Sequence, residues 1–198
     1  MASARSFFAP SGRHVMSTLQ AHFLVASPYL TDPNFNRSVV LIIKHDDEGA
    51  FGMLLNRPMN NTVREIMRLA GEADCDCDEH IYYGGPVQGP LVAIHGMEDQ
   101  AEAEVLPGVF FSAHKDQLRS IIEQDEKPFR LFTGYSGWGA GQLESELEVG
   151  GWLTAPATAE IVFLPADEQW QRLTREIGRD ILGPDFKNKP LPDNPSLN

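Results

Sequence analysis

Residues 133–146 read TGYSGWGAGQLESE, with Gly134, Gly137, Gly139 and Gly141 set between an apolar segment and a helix-forming one. Strand, glycine turn and helix is the layout that aims backbone N–H groups at a phosphate. The accompanying residues do not support that chemistry. A Walker-type loop needs Lys followed by Ser or Thr, the ammonium for phosphate and the hydroxyl for magnesium. Here Gly141 is followed by Gln142 and Leu143, and no lysine occurs between Lys127 and Lys187. A dinucleotide loop needs G-x-G-x-x-G and an acidic residue ending the next strand. The spacing here is G-x-G-x-G, and the following EIVFLP (160–165) ends in Pro165. Carboxylates in QLESELE would also repel a bound phosphate. The glycines therefore read as a corner that lets Tyr135, Trp138 and Trp152 fold onto a sheet edge. Glu144 and Glu146 suit the start of a helix through its dipole alone.

Nucleophilic chemistry has few candidates. Ser136 sits in the sharpest turn of any serine, but a serine nucleophile needs a base within about 3 Å. His45 and His95 are candidate bases, yet no G-x-S-x-G elbow accompanies them. The six histidines (14, 22, 45, 80, 95 and 114) show no H-x-x-x-H spacing for a helical metal site. His45, just before DDEG, reads as an exposed turn residue, and the carboxylates are too scattered to nominate an acid–base pair. Cys75 and Cys77 lie in GEADCDCDEH, with His80 nearby. No second CxC or CxxC completes a zinc tetrahedron, so this reads as a solvated acidic loop with two free thiols. No metal and no cofactor are expected.

LNRP (55–58) is the more promising stretch. Asn56 and Arg57 place two donors at a strand end, where Arg57 would clamp a carboxylate or phosphate or pair with one of 28 acidic residues. GGPV (84–87) offers bare backbone. The candidate ligand or partner surface groups Asn56, Arg57, Gly84, Gly85, Pro86, Tyr135, Trp138 and Gln142.

The elements that must position these residues follow from pattern. AHFLVASP (21–28), SVVLIIKH (38–45) and AFGMLLNRP (50–58) read as strands, the second continuous and β-branched as in a strand covered on both faces. DDEG joins the last two as a hairpin, and Pro58 is expected to end the third. Thr62 with Glu65 forms a capping-box pattern for a helix that Gly71 stops. Further strands are expected at IYY (81–83), LVAIHG (91–96), GVFFSA (108–113), PFRLFTG (128–134), GGWLTAPA (150–157) and EIVFLP. Helices are expected near 114–124, at 141–148 and after a cap at Asp167. Strands outnumber helices and βαβ alternation is irregular. That composition points to an α/β (mixed α+β) single domain, with a mixed, mainly antiparallel sheet or partial barrel flanked by helices.

The motifs GYSGWGAGQLESE, LNRP, YYGGPV and DPNFNRSVVLIIKHDDEGAFG (32–52) resemble the YqgE/AlgH family over about residues 16–180. The resemblance implies a compact α/β fold on a mixed sheet, a cytosolic location and no assigned biochemical function. Some members carry the label of transcriptional regulator of alginate synthesis. The domain is expected over 16–183, with 1–15 a flexible extension, 184–198 a flexible tail and Met16 an alternative start. A net charge of −12, with only 16 Lys and Arg and no basic run, disfavours nucleic acid as a partner. No apolar run reaches the ~18 residues of a membrane span, and the N-terminus lacks a signal-peptide core. The expected protein is a cytoplasmic binding or regulatory module for a protein or small ligand. A hydrolase or transferase with an unrecognised site is the alternative, followed by the regulator label.

Overall fold

The computed structural model describes residues 18–72, 75–124 and 128–182. The expected extension and tail, and Met16, lie outside these residues. Eleven strands and five α-helices are described, which places the chain in the mixed α+β class. The strands form two sheets rather than one, and neither closes on itself.

The first sheet contains β1 (His22–Ala26), β2 (Val39–Asp46), β3 (Gly49–Leu54), β10 (Ser136–Gly139) and β11 (Trp152–Pro156), all antiparallel, in the order β10-β3-β2-β1-β11. The second has the order β4-β5-β9-β6-β8-β7. Its strands are β4 (Pro58–Thr62), β5 (His80–Tyr83), β6 (Val92–His95), β7 (Ala103–Leu106), β8 (Val109–Ser112) and β9 (Phe129–Thr133). Only the β5–β9 pair is parallel.

Side-chain alternation makes each sheet two-sided. On β1 and β2, Phe23, Val25, Val39 and Leu41 join a cluster that also holds Val92, Ile94 and Phe132 of the second sheet. Leu24, Ala26, Val40 and Ile42 face the other way, toward α3 (Gln142–Glu148) and a cluster of Trp138, Trp152 and Phe35. The far face of the second sheet is covered by α1 (Val63–Leu69) and α2 (Lys115–Ile122) through Val63, Leu118 and Ile121. The unbroken apolar run of β2 is thus buried on both faces, as its composition predicts.

Several elements depart from the sequence reading. Pro58 begins β4 instead of ending β3, and a proline is tolerated as the first residue of an edge strand. The stretch expected to be a corner is largely β10, an edge strand. EIVFLP is not extended: Thr158 caps α4 (Ala159–Val162), its hydroxyl accepting from the Ile161 N–H. Asp167 lies inside the first turn of α5 (Ala166–Leu182) rather than before it. The strand β7 and a 3-10 turn at Glu98–Gln100 were not legible. The capping box is as expected, with Thr62 Oγ1 accepting from Glu65 N–H and Glu65 Oε2 from Thr62 N–H.

Two contacts fasten the layers. Arg130 of β9 donates from Nη1 to Leu55 O (3.2 Å) and Val162 O (2.8 Å), and from Nη2 to Leu164 O. It thereby ties the second sheet to the end of β3 and to the carbonyls that close α4. Trp170 of α5 donates its indole N–H to Ala26 O of β1 at 2.8 Å.

Candidate functional site

Three groups carry the residue types of a nucleophilic centre, and each is engaged elsewhere. His95 is buried and its Nδ1 accepts the Met97 N–H at 3.3 Å. Its proton therefore sits on Nε2 and is donated to Ser112 Oγ (3.0 Å), while Ser112 gives its own proton to Gln100 O (2.6 Å). A histidine that donates to serine cannot act as its base. Burial holds the His95 pKa below the ordinary 6.5, keeping the ring neutral, with the charges of Asp99 and Glu102 opposing more weakly.

His45, expected to be exposed, is buried. Its Nδ1 accepts the Leu19 N–H at 3.0 Å and its Nε2 donates to Glu144 Oε1 at 2.7 Å. A histidine backed by a carboxylate borders a cavity of about 350 Å³ with Asp46, Asp47 and Glu48. Both ring nitrogens are occupied, so neither is open to a substrate proton. Ser136 is fully buried and donates to Gly84 O at 3.1 Å. Cys77 is buried too, rather than solvated, and burial pushes its thiol pKa upward, away from reactive thiolate. Cys75 and Cys77 are both free.

The eight candidate surface residues fall into three neighbourhoods. Asn56 accepts the Val39 N–H (2.9 Å) and donates to Arg37 O (2.9 Å). Arg57 donates to Asn36 O and Asn56 O, so its partners are main-chain carbonyls rather than a carboxylate. These two brace the loop before β2. Trp138 and Gln142 lie on the α3 side of the first sheet. There Trp138 and Trp152 both donate their indole N–H to Glu146 Oε2, at 2.9 and 2.8 Å. Tyr135 packs on the opposite face, edge-on to Phe51 at 5.2 Å between ring centroids.

Gly84, Gly85 and Pro86 run beside Gly134 and Tyr135. A Cβ on Gly85, whose φ is +148°, would stand 2.3 Å from the Tyr135 carbonyl carbon, so only glycine allows this approach. Gly84 donates to Thr133 O and accepts from Leu54 N–H, and Val87 and Tyr135 exchange both backbone bonds (3.0 and 2.9 Å).

That exchange fixes which way β10 faces. Tyr135 turns its N–H and C=O away from β3, and residues of equal parity do the same. Gly139 follows, its N–H going to Gln142 Oε1 at 3.1 Å. Gly137 lies between them and is exposed; by the same parity its N–H and C=O turn away from β3, and outside the ladder no described residue is hydrogen-bonded to them. Its neighbours Ser136 and Trp138 hold the β3 ladder opposite Gly52 and Ala50. The open edge therefore reads Val87 bridge, free peptide group, Gln142 carboxamide. The sequence reading missed Gly137 because glycine in a glycine-rich stretch carries no strand signal.

The AlgH-like family model matches residues 23–182. The chain belongs to the AlgH-like family. A UPF0301 protein of Chlorobium limicola is 43% identical over 162 residues, covering 78% of this chain and 84% of that one. A UPF0301 protein of Idiomarina loihiensis is 36% identical over 181 residues, covering 86% and 98%. Among solved structures, the AlgH protein of Pseudomonas aeruginosa matches with a TM-score of 0.67 and 32% identity, over 89% of this chain and 96% of that one. A Corynebacterium diphtheriae protein matches with a TM-score of 0.65 and 25% identity, over 81% and 87%. This chain thus shares its fold with the AlgH protein of Pseudomonas aeruginosa, in keeping with the resemblance carried by the motifs.

Proposed function

We propose that this AlgH-like chain is a binding module that receives an extended peptide segment of a protein partner along the open edge of β10. One observation carries the reading: Gly137 presents an unclaimed N–H and C=O pair between a backbone bridge and a side-chain amide. Strand addition draws its affinity from such main-chain groups. The other edges are guarded. β4 starts with Pro58 and pairs irregularly, β7 shifts register between Glu104 and Leu106, and β11 ends in Pro156. β10 pairs regularly over all four residues, and Gly137 puts no side chain in the way. Gly84, Gly85, Pro86, Tyr135 and Gln142 border this edge, with Trp138 behind it. Catalysis is disfavoured because His45, His95, Ser112 and Ser136 are each tied into the fold. A cytoplasmic location suits the two free thiols.

A random-peptide display library panned against the full chain tests this. Gly137→Pro removes the outward donor without touching the β3 ladder, and Gln142→Ala uncovers the Gly139 N–H. Peptides enriched on the wild type are expected to bind Gly137→Pro at least about tenfold more weakly and Gln142→Ala more tightly. Binders indifferent to Gly137→Pro, or no enrichment at all, would falsify the reading.

A further inference from the structure

Arg130 is 7% exposed, and no carboxylate of the described residues lies within ion-pair distance of it. Leu55, Val162 and Leu164 carbonyls take three of its five N–H groups, and the Tyr82 ring lies 4.9 Å from Cζ. Carbonyl dipoles solvate the cation without neutralising it. Burial accordingly draws its pKa down, opposed by Tyr82 and, more weakly, by Glu79.

This guanidinium borders a cavity of about 550 Å³, within the size range of small-molecule sites. Tyr82, Phe129 and Phe163 supply aromatic lining, and Asp76, Asp78 and Glu79 supply carboxylates. Arg64 holds Asp76 and Asp78, the latter at 3.2 Å, whereas Glu79 makes no ion pair among the described residues. The lining therefore combines a buried cation, paired by no described carboxylate, with an exposed carboxylate, Glu79, at its rim.

We propose that this cavity binds a small basic amino acid, its α-carboxylate meeting Arg130 and its cationic side chain meeting Glu79. Other ligand classes fit less well on charge. A phosphate ester or dicarboxylate meets three carboxylates, a polyamine brings positive charge to Arg130, and a neutral apolar molecule leaves Arg130 uncompensated. The site is separate from the β10 edge, so either assignment stands or falls without the other.

Calorimetric and NMR titrations of the full chain with L-arginine, agmatine (arginine without its carboxylate) and succinate test the assignment. L-Arginine is expected to bind at least about tenfold more tightly than agmatine or succinate. It is also expected to shift the ring signals of Tyr82, Phe129 and Phe163. Glu79→Gln should weaken L-arginine several-fold without weakening succinate, and Arg130→Met should abolish L-arginine binding. Should Arg130→Met fail to fold, the ligand series and Glu79→Gln decide the matter alone. Equal affinity for agmatine and L-arginine, or no ring shifts at about 10 mM L-arginine, overturns the proposal.

Discussion

Burying a histidine without an ion-pair partner makes its protonation state a constraint on folding. His95 has both nitrogens engaged inside the second sheet, with its folded pKa below 6.5. The unfolded chain therefore takes up a proton near pH 6.5 that the folded chain refuses until a lower pH. Across that window the unfolded state binds more protons, so stability falls as pH falls, by at most about 1.4 kcal/mol per pH unit. His95→Gln, which keeps a donor for Ser112 but does not titrate, is expected to lose less stability between about pH 7.5 and about pH 5 than the wild type. Urea denaturation at the two pH values measures the difference, and parallel curves for both proteins would refute the assignment. Sequence pattern placed His95 in a strand but carried no sign of its tautomer. That was set by Met97 N–H, which only the turn after β6 brings into reach.

At the scale of elements, Glu146 joins three of them. It projects from α3 and takes the indole protons of Trp138 on β10 and Trp152 on β11, strands at opposite edges of the first sheet. Both tryptophans are nearly enclosed and stack edge-on at 6.1 Å between ring centroids. Replacing Glu146 with alanine leaves two buried donors unpaired, at roughly 1–3 kcal/mol each when no water replaces the acceptor. Glu146→Ala is expected to cost about 2–4 kcal/mol in urea denaturation and to red-shift the tryptophan fluorescence. Glu146→Gln, which retains an acceptor oxygen, should cost less. A loss below about 0.5 kcal/mol for the alanine variant would show that the indoles find other partners. The helix itself was legible from QLESELE, and so was aromatic packing against the sheet. The assignment of Glu146 to two indoles was not: from sequence it reads as an acidic residue near a helix start, whereas only Glu144 lies in the first turn of α3.

For the whole molecule, charge and layering decide what can approach. A net charge of −12 opposes a phosphate backbone, and the Lys and Arg residues are not gathered into a run. Among the described residues no helix is long and apolar enough to cross a membrane. Duplex DNA is expected to show no retardation by this chain in a gel shift at about 0.15 M salt. A retarded band at that salt would restore the regulator label as a functional assignment. The two-sheet arrangement was the largest feature absent from the sequence reading. Hairpins and apolar alternation specify that strands have inner and outer faces, but not how many sheets those faces share. Pro58 shows why: the same residue can end a strand or begin an edge strand, and the choice depends on whether β5 lies beside it.

Local rules in the sequence settled the mixed α+β class, the double burial of β2, the Thr62–Glu65 cap, the acidic charge and the lack of a phosphate-binding lysine. Each depends on neighbours along the chain or on summed composition. Tertiary structure alone decided that Gly137 faces outward on a sheet edge, that His45 and Ser136 are enclosed and engaged, and that Arg130, with no carboxylate partner among the described residues, lines a cavity. Those facts depend on partners far apart in sequence, such as Tyr135 with Val87 and Arg130 with Leu55. Hydrogen-bond direction and burial are set by which segments meet, and that meeting is determined by the packing of both sheets together.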